Sequence, residues 1–597
     1  MFIVFIPLIV FVGCDGENAN APEPDEESGS PATADLESAV KLTAEPLPTS
    51  ESVTEAPAAE KPTKMVGFIK AQGTLLVDGN GDNFLIKGMA FGNNVWANPA
   101  VAPKNHHTEE SYKELSEIGF NSVRFYLNYG LFEKDSDPYN YDGMPGWDWL
   151  DWNIRMARRY NIRLVLNMHY PQGGFQSNGD GMELWTKQEN QDRLTALWTE
   201  IAGRYKDEIA IGGFDLLNEP YVAEKATLEE TFAQWSDLAQ RIAYSIRTVD
   251  TNHLILVERL NAYKNVETGV SDWSGNLNGN LNFFLIDDPN VAYEFHTYDP
   301  FKFTHQNASW VPSSVGVFAT YPDENYVEVS GEQPWAGAIF DNPKLDRKNT
   351  EWQELKGIKY KVDNDKYKVG TAAVQVQNIG ADGKVWIDDI TVNEYDENGE
   401  FVRQVCAYNF DESGSWGYWS SDGSGKLDYI AAEGHDAKGC LLVSGTTSDA
   451  NTSDWNNKFL IKQGYHYEIS GWIKGENIGT RPTVTFRVDF LDAEEVNAMN
   501  KDYLKKAFTK FLKFGTDNNV PLYLGEFGVI SYGFEEDRGG DRWIKDALDI
   551  CRRYNINFNY HTYHEENFGL YRNNSNVLPD KLNIALFEAF KEALKDN

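Results

Sequence analysis

Eight apolar runs of β type recur along this chain, at 84–91, 122–127, 163–170, 212–217, 253–257, 291–296, 520–525 and 556–561. Stretches of helical period separate most of them, at 109–118, 147–160, 190–205, 228–249, 493–514, 541–554 and 582–594. A strand covered on both faces reads as a nearly unbroken apolar run, and strands alternating with helices predict a parallel sheet. Eight such units predict an α/β fold of the TIM (β/α)8 barrel type. The alternation breaks once, after the sixth run. Residues 322–492 instead carry short alternating strands divided by Gly, Asp and Asn turns, as at 372–377, 384–390, 439–443, 465–473 and 483–490. That pattern predicts a β-sandwich of jelly-roll type, inserted after strand six.

Two of the eight runs end in a carboxylate. Gly212-Gly213-Phe214-Asp215-Leu216-Leu217-Asn218-Glu219-Pro220 closes on an amide, an acid and a proline, and Leu522-Tyr523-Leu524-Gly525-Glu526-Phe527-Gly528 closes on a second acid. Each Glu can cap a following helix. Glutamate is seldom buried without a partner, however, and two of them at strand tips are what two-carboxylate glycoside hydrolysis requires. Active sites of this barrel lie at the C-terminal strand ends.

Composition narrows the partners. With 91 acidic and 54 basic side chains, the net charge of −37 argues against nucleic acid or an anionic membrane surface and suits a neutral substrate. Aromatic residues make up 13 %, including 17 Trp and 30 Tyr, the side chains that stack on sugar faces. No spacing of Cys or His reads as a metal cluster. Cys406 and Cys440 can pair in an oxidising compartment, and Cys551 reads as a buried apolar residue.

The first 14 residues read as a targeting segment: an apolar run too short to span a bilayer, ending in Gly13-Cys14. It resembles a bacterial lipoprotein signal in which Cys14 becomes the lipidated residue, although the basic n-region is missing. Residues 15–65, rich in Ala, Pro, Glu, Asp, Ser and Thr, read as an acidic disordered tether. The expected organisation is therefore 1–14 signal, 15–65 tether, 66–321 and 493–597 barrel, and 322–492 insert. The expected location is the outside of a bacterial cell, with the membrane met only through Cys14.

The barrel segments resemble glycoside hydrolase family 5, the retaining cellulase and mannanase family of clan A. By that resemblance Glu219 is the acid/base and Glu526 the nucleophile, while Arg124, His169, Asn218, His296 and Tyr298 stand where the family keeps its site residues. Each type suits its place. Arginine is always charged and favours an ionised nucleophile, whereas an acid/base must begin protonated, which burial and a nearby anion promote. Asn218 can donate to a sugar 2-hydroxyl, Tyr298 can hold Glu526, and either histidine can orient hydroxyls. A satisfied core histidine and a structural ion pair are the plain alternatives for His169, His296 and Arg124. The implied activity is a retaining endo-β-1,4-glucanase acting as a monomer on a β-linked polysaccharide without a catalytic cofactor. A β-1,4-mannanase, a mixed-linkage or xyloglucan-active enzyme, or a silent glycan-binding protein are the alternatives.

One position departs from the family. His561 falls where a tryptophan floor under the sugar is usual, so it is expected beside the sugar site. Trp96, Trp185, Trp273 and Trp310 are further candidates for the cleft. The insert resembles carbohydrate-binding modules of families 4 and 9 with its order rotated, since Val385-Trp386-Ile387-Asp388-Asp389-Ile390 precedes Tyr408-Asn409-Phe410-Asp411 and Gly439-Cys440-Leu441-Leu442-Val443. Trp335, Trp352, Trp416, Trp419 and Trp455 are its candidate platforms, and Asp388, Asp389 and Asp411 candidate ligands of a structural calcium.

Overall fold

A computed structural model describes residues 65–95, 101–311, 314–411, 416–455 and 457–595. The signal, the tether, Cys14 and Trp96 lie outside the described residues. No helix among the described residues is long and apolar enough to cross a membrane.

Eight parallel strands close into a barrel: β1 (Lys87–Phe91), β2 (Ser122–Asn128), β3 (Arg163–Tyr170), β4 (Ile211–Asp215), β5 (Leu254–Glu258), β6 (Val291–His296), β7 (Leu522–Phe527) and β8 (Asn557–Tyr560). Hydrogen bonding runs in sequence order and closes β8 onto β1, with Phe558 opposite Lys87. Helices α1 (Glu109–Ile118), α2 (Pro145–Arg159), α3 (Gln188–Tyr205), α4 (Leu228–Arg247), α5 (Lys501–Thr509), α6 (Gly540–Arg553) and α7 (Ile584–Leu594) clothe the outside. Trp198, Trp235 and Trp543 from this layer are fully buried against the strands. No described helix joins β5 to β6. That connection forms two short strands, Ala262–Lys264 and Ser271–Asp272, which add to Tyr221–Ala223 beyond β4 as a small side sheet.

Side chains alternate along each strand, so every second residue enters the barrel. The lower interior is apolar, with Val165, Leu254, Leu256, Ala292 and Tyr523 packed together over Ile69 and Leu76 of the N-terminal hairpin. Two residues farther along the same faces the chemistry changes. The inward positions become Arg124 and Tyr126 on β2, Asn167 and His169 on β3, Asp215 on β4, Glu258 on β5, and Glu294 and His296 on β6, all buried except the partly exposed His296. The apolar runs thus fill the barrel floor, and their final residues form a polar upper layer.

The insert stands apart with its own core. Two antiparallel sheets, one built on Val369–Gln377 and Thr483–Leu491 and the other on Lys384–Tyr395 and His466–Glu476, face each other across residues such as Val374, Ile387, Ile469 and Phe486. Its first and last strands, Asp323–Ser330 and Glu495–Met499, pair with each other, Asp323 opposite Met499. This corrects the expected helix at 493–514. The chain is still strand to Met499, and α5 begins only after Asn500, whose side chain accepts from the amides of Asp502 and Tyr503.

The expected Cys406–Cys440 pairing is also corrected, since both thiols are free. They lie on two strands that pair with successive parts of Lys384–Tyr395, Cys406 opposite Val392 and Cys440 just before the Leu441–Ile387 pair. About four strand residues separate these levels, roughly 13 Å, beyond disulfide reach. Cys551 is buried on α6, as expected. In the insert Trp416 packs into the core, which removes it as a platform, while Trp335, Trp419 and Trp455 are exposed.

Candidate active site

The polar upper layer is organised by Arg124. Its guanidinium is fully buried and reaches partners from three other strands at once: Nε donates to Asp215 Oδ2 at 2.8 Å, Nη1 to Glu526 Oε1 at 2.7 Å, and Nη2 to Asn218 Oδ1 at 3.0 Å, with Glu294 Oε1 also 3.0 Å from Nη2. A rigid fork of donors suits this task better than an ammonium would. Arg124 therefore makes a structural ion pair within the barrel and a contact to the candidate nucleophile at once.

Glu526 comes into the barrel through a local irregularity. The register of β7 shifts between Leu524 and Phe527 and that of β6 between Phe295 and His296, which turns Glu526 inward opposite His296. Glycine at 525 is required, because a Cβ there would meet Glu294 Oε1 at 1.6 Å. Oε1 of Glu526 also accepts from Tyr126 Oη at 2.6 Å, and Oε2 accepts from Tyr298 Oη at 2.8 Å. Burial opposes the charge on Glu526. The positive surroundings of His296, His561 and Arg124 outweigh burial and hold the carboxyl well below its usual range.

Glu219 is held differently. It follows β4 with φ at +44°, a conformation uncommon for a residue with a side chain, and its backbone N–H donates to Glu258 Oε2 at 2.5 Å. Its Oε1 lies 3.0 Å from His296 Nδ1, and its side chain keeps 19 % exposure against 7 % for Glu526. Oxygens of Glu219 and Glu526 and a nitrogen of His296 all lie within 4.8 Å of one another.

His296 bridges the two levels, with Nε2 3.2 Å from Glu294 Oε1 below. Burial would strip its proton, but Glu258 and Glu526, with hydrogen bonds to Glu219 and Glu294, raise its pKa well above the ordinary histidine value. His169 behaves oppositely. Burial is the main cause of its lowered pKa, and its ring stacks on Tyr126 with centroids 3.9 Å apart while Nδ1 meets Asn167 Oδ1 at 3.0 Å. Asn218 turns its amide to Ser177 Oγ at 3.0 Å while Arg124 takes its carbonyl. His561 follows β8 and is partly exposed, its Nδ1 3.0 Å from Tyr126 Oη.

All eight residues expected from sequence therefore converge on one end of the barrel. Four others were missed: Tyr126, Asp215, Glu258 and Glu294. A glutamate within or ending an apolar run was the available signal for the last two. Burial, then Glu294, raises the pKa of Asp215, and burial, against the opposing pull of His296, raises that of Glu258. Three acids can thus sit beneath the site without three full negative charges.

Two groups among the described residues are close enough to hold a metal ion: Glu219, His296 and Glu526, and Glu258, Glu294 and His296. Each is assembled from separate strands, so no sequence spacing could show it, and Arg124 already supplies a cation to Glu294 and Glu526. Asp388, Asp389 and Asp411 do not form such a group. Asp388 accepts from the amides of Asp389 and His435, Asp389 meets His435 Nδ1 at 3.2 Å, and Asp411 is 2.9 Å from Lys438 Nζ. Of the cleft candidates, Trp185 is buried and donates to Gln176, Trp273 lies half-exposed on Tyr221, and the exposed Trp310 packs near Phe568.

The family model for cellulase (glycosyl hydrolase family 5) matches residues 77–366, which takes in β1 to β6 and Glu219 but not Glu526. Among curated proteins, Endoglucanase C of Acetivibrio thermocellus is 28 % identical over 221 residues, 36 % of this chain and 58 % of its own. Cellodextrinase A of Ruminococcus flavefaciens is 28 % identical over 237 residues, 39 % of this chain and 64 % of its own. An endoglucanase of Paenibacillus polymyxa is 29 % identical over 258 residues, 41 % of this chain and 63 % of its own. The match thus spans about three fifths of the length of these relatives. Among solved structures, endoglucanase Cel5A of Thermotoga maritima covers 84 % of this chain and 96 % of its own at 16 % identity and a TM-score of 0.42, too distant to carry an argument. The family match takes in just under half of the chain and lies mainly over the first six strands of the closed barrel.

Proposed function

We propose that the protein is a retaining endo-β-1,4-glucanase that cleaves β-linked glucan by double displacement. The observation that carries this reading is the pair Glu219 and Glu526, whose nearest oxygens lie within 4.8 Å and whose surroundings differ. Retaining enzymes hold their two carboxyl groups about 5–5.5 Å apart, whereas inverting ones leave about 6.5–9.5 Å for a water. Glu526, kept anionic, attacks the anomeric carbon as Glu219 gives its proton to the departing glycosidic oxygen. The C–O bond to the leaving sugar breaks, and a glycosyl ester forms on Glu526. Glu219, now a carboxylate, takes a proton from water as that water attacks the same carbon and releases Glu526.

The surrounding contacts support these roles. Arg124 and two tyrosines surround the nucleophile with donors, and the Asn218 amide, with its carbonyl on the arginine and one N–H on Ser177 Oγ, keeps a second N–H for a sugar hydroxyl. The relatives named endoglucanase and cellodextrinase support a β-glucan substrate. We read the insert as a module of carbohydrate-binding type on its sandwich architecture and exposed Trp335, Trp419 and Trp455, and Cys14 as a lipid anchor holding a monomer at the cell surface.

Reducing-sugar release from a panel of β-glucans, mannans and xyloglucan tests the substrate class, with cellulosic or mixed-linkage β-glucan expected as the best substrate. Proton NMR of the first product tests stereochemistry. A β-anomer that later mutarotates is expected, and an initial α-anomer would overturn the retaining mechanism.

A further inference from the structure

Around Tyr126 the hydrogen-bond count fixes where protons lie. Its phenol oxygen has three polar neighbours: Glu526 Oε1 at 2.6 Å, His561 Nδ1 at 3.0 Å and Arg124 Nη1 at 3.3 Å. A phenol offers one proton and accepts through its lone pairs, whereas an ionised carboxylate only accepts. Two oxygens at 2.6 Å need a proton between them, and with Glu526 ionised only Tyr126 can supply it. The hydroxyl proton is then spent. His561 Nδ1 must therefore carry a proton and donate it to the phenol oxygen, and Arg124 Nη1 completes the set.

The ring positions agree with this direction. Tyr126 lies between two imidazoles, stacked on His169 at 3.9 Å and near-parallel to His561 at 6.1 Å. His169 fixes the plane of the phenol by stacking on it, while its Nδ1 meets Asn167. A hydroxyl that accepts from two donors becomes a better donor itself.

We propose that His561 is a positioning residue for the nucleophile, acting through the chain His561 Nδ1–H to Tyr126 Oη–H to Glu526 Oε1. This rests on the reading of Glu526 as nucleophile. In that role the chain sets the plane of the carboxylate for attack and receives the charge that returns to Oε1 when the glycosyl ester breaks. His561 is then part of the reaction machinery, and its place is more than a smaller floor under the sugar.

The test is a double-mutant cycle on a soluble cello-oligosaccharide, with kcat and KM measured separately for wild type, Tyr126→Phe, His561→Phe and the double variant, and for His561→Asn. Asparagine can place its side-chain N–H close to where Nδ1–H stood. Loss of one such bond is worth roughly 5- to 10-fold in kcat. The expected result is that His561→Phe and Tyr126→Phe each lower kcat by about that factor with little change in KM. The double variant should be no slower than Tyr126→Phe, and His561→Asn should recover most of the rate. Independent losses that multiply in the double variant, or a change in KM alone, would overturn the proposal. So would failure of asparagine to restore the rate in a protein that melts like wild type. Labelling the wild-type enzyme with 2,4-dinitrophenyl 2-deoxy-2-fluoro-β-cellobioside separates the two readings. An adduct elsewhere than Glu526 rejects the nucleophile assignment, whereas an adduct at Glu526 with multiplying losses rejects only the role of His561.

Discussion

Tyr298 Oη lies 2.8 Å from Glu526 Oε2, the oxygen that Arg124 and Tyr126 leave uncovered while they hold Oε1. The two carboxylate oxygens are thus held by separate donors on separate sides. Burial, then the neighbouring Glu526, pushes the Tyr298 phenol well above its ordinary pKa, so it stays a donor throughout the working range. A hydrogen bond to a charged group is worth about 1.5–3 kcal/mol. Tyr298→Phe should therefore lower kcat/KM on a soluble oligosaccharide about 10- to 100-fold with an unchanged circular dichroism spectrum. Activity within twofold of wild type would show that the contact does not serve the reaction.

Arg124 invites a harsher outcome. Its positive charge, fully buried, lies against Asp215, Glu294 and Glu526. Removing one partner of a buried ion pair typically costs about 3–5 kcal/mol, because the charge left behind is uncompensated. Arg124→Met should lose activity and melt well below wild type in a thermal scan. A variant that is inactive yet as stable as wild type would mean that the acids beneath it take up protons to compensate.

This network also shows how far the sequence could be read. The eight strands were visible because parallel strands buried on both faces leave unbroken apolar runs such as Leu164-Val165-Leu166 and Leu254-Ile255-Leu256-Val257. Glu219 and Glu526 were visible because a carboxylate has no packing reason to end such a run. Tyr126 was hidden, since in Arg124-Phe125-Tyr126-Leu127 an aromatic residue reads as an ordinary strand former. Only the strand's alternation, which puts Tyr126 on the face of Arg124, assigns it to the interior. The 493–499 stretch misled because its strand is set by pairing with residues 323–330, distant in the chain, and local propensity does not register that.

The charges around His296 set a pH dependence of stability. Glu219, Glu258, Glu294 and Glu526 face it from β4, β5, β6 and β7. Its folded pKa lies well above the unfolded value near 6.5, so the stability it contributes is fully present below that value and is lost as pH rises through the raised one. Glu258, held protonated chiefly by burial, acts in the same direction. Glu526 acts oppositely, since its depressed pKa contributes stability above the usual carboxylate range that is lost only in strong acid. Unfolding free energies from urea titrations, and with them the midpoints, should fall between pH 6.5 and pH 9, the former by up to about 1.4 kcal/mol per pH unit for each proton concerned. Midpoints that stay level or rise across this window would contradict a charged His296.

The insert can be tested by removal. Asp323 and Met499 are paired across antiparallel strands, so the two ends leave the barrel side by side, about 5 Å apart. The insert's core also forms a cluster of its own, whereas Met499 belongs to the barrel core. Joining Pro322 to Met499 through about two to four Gly and Ser residues should leave a barrel that melts in one cooperative transition and still cleaves short oligosaccharides. Failure of the shortened chain to fold would make the insert part of the barrel's own stability.

Glu219 offers the most discriminating test of the proposed mechanism, because acid and base assistance can be separated by the leaving group. Its oxygen stands 3.0 Å from His296 Nδ1, and its backbone is fixed by Glu258, so glutamine in its place should keep the position while losing the transferable proton. A sugar alkoxide cannot depart without that proton, whereas 2,4-dinitrophenolate can. Glu219→Gln should therefore lower kcat/KM on β-glucan by about 10²- to 10⁴-fold and barely change it on 2,4-dinitrophenyl β-cellobioside. The second step still needs a base to activate water, so kcat on the aryl glycoside should fall as the glycosyl ester accumulates. Azide needs no base, and adding it should restore kcat and yield a β-glycosyl azide. Equal losses on both substrates with no azide effect would show that Glu219 holds the substrate and does not transfer the proton.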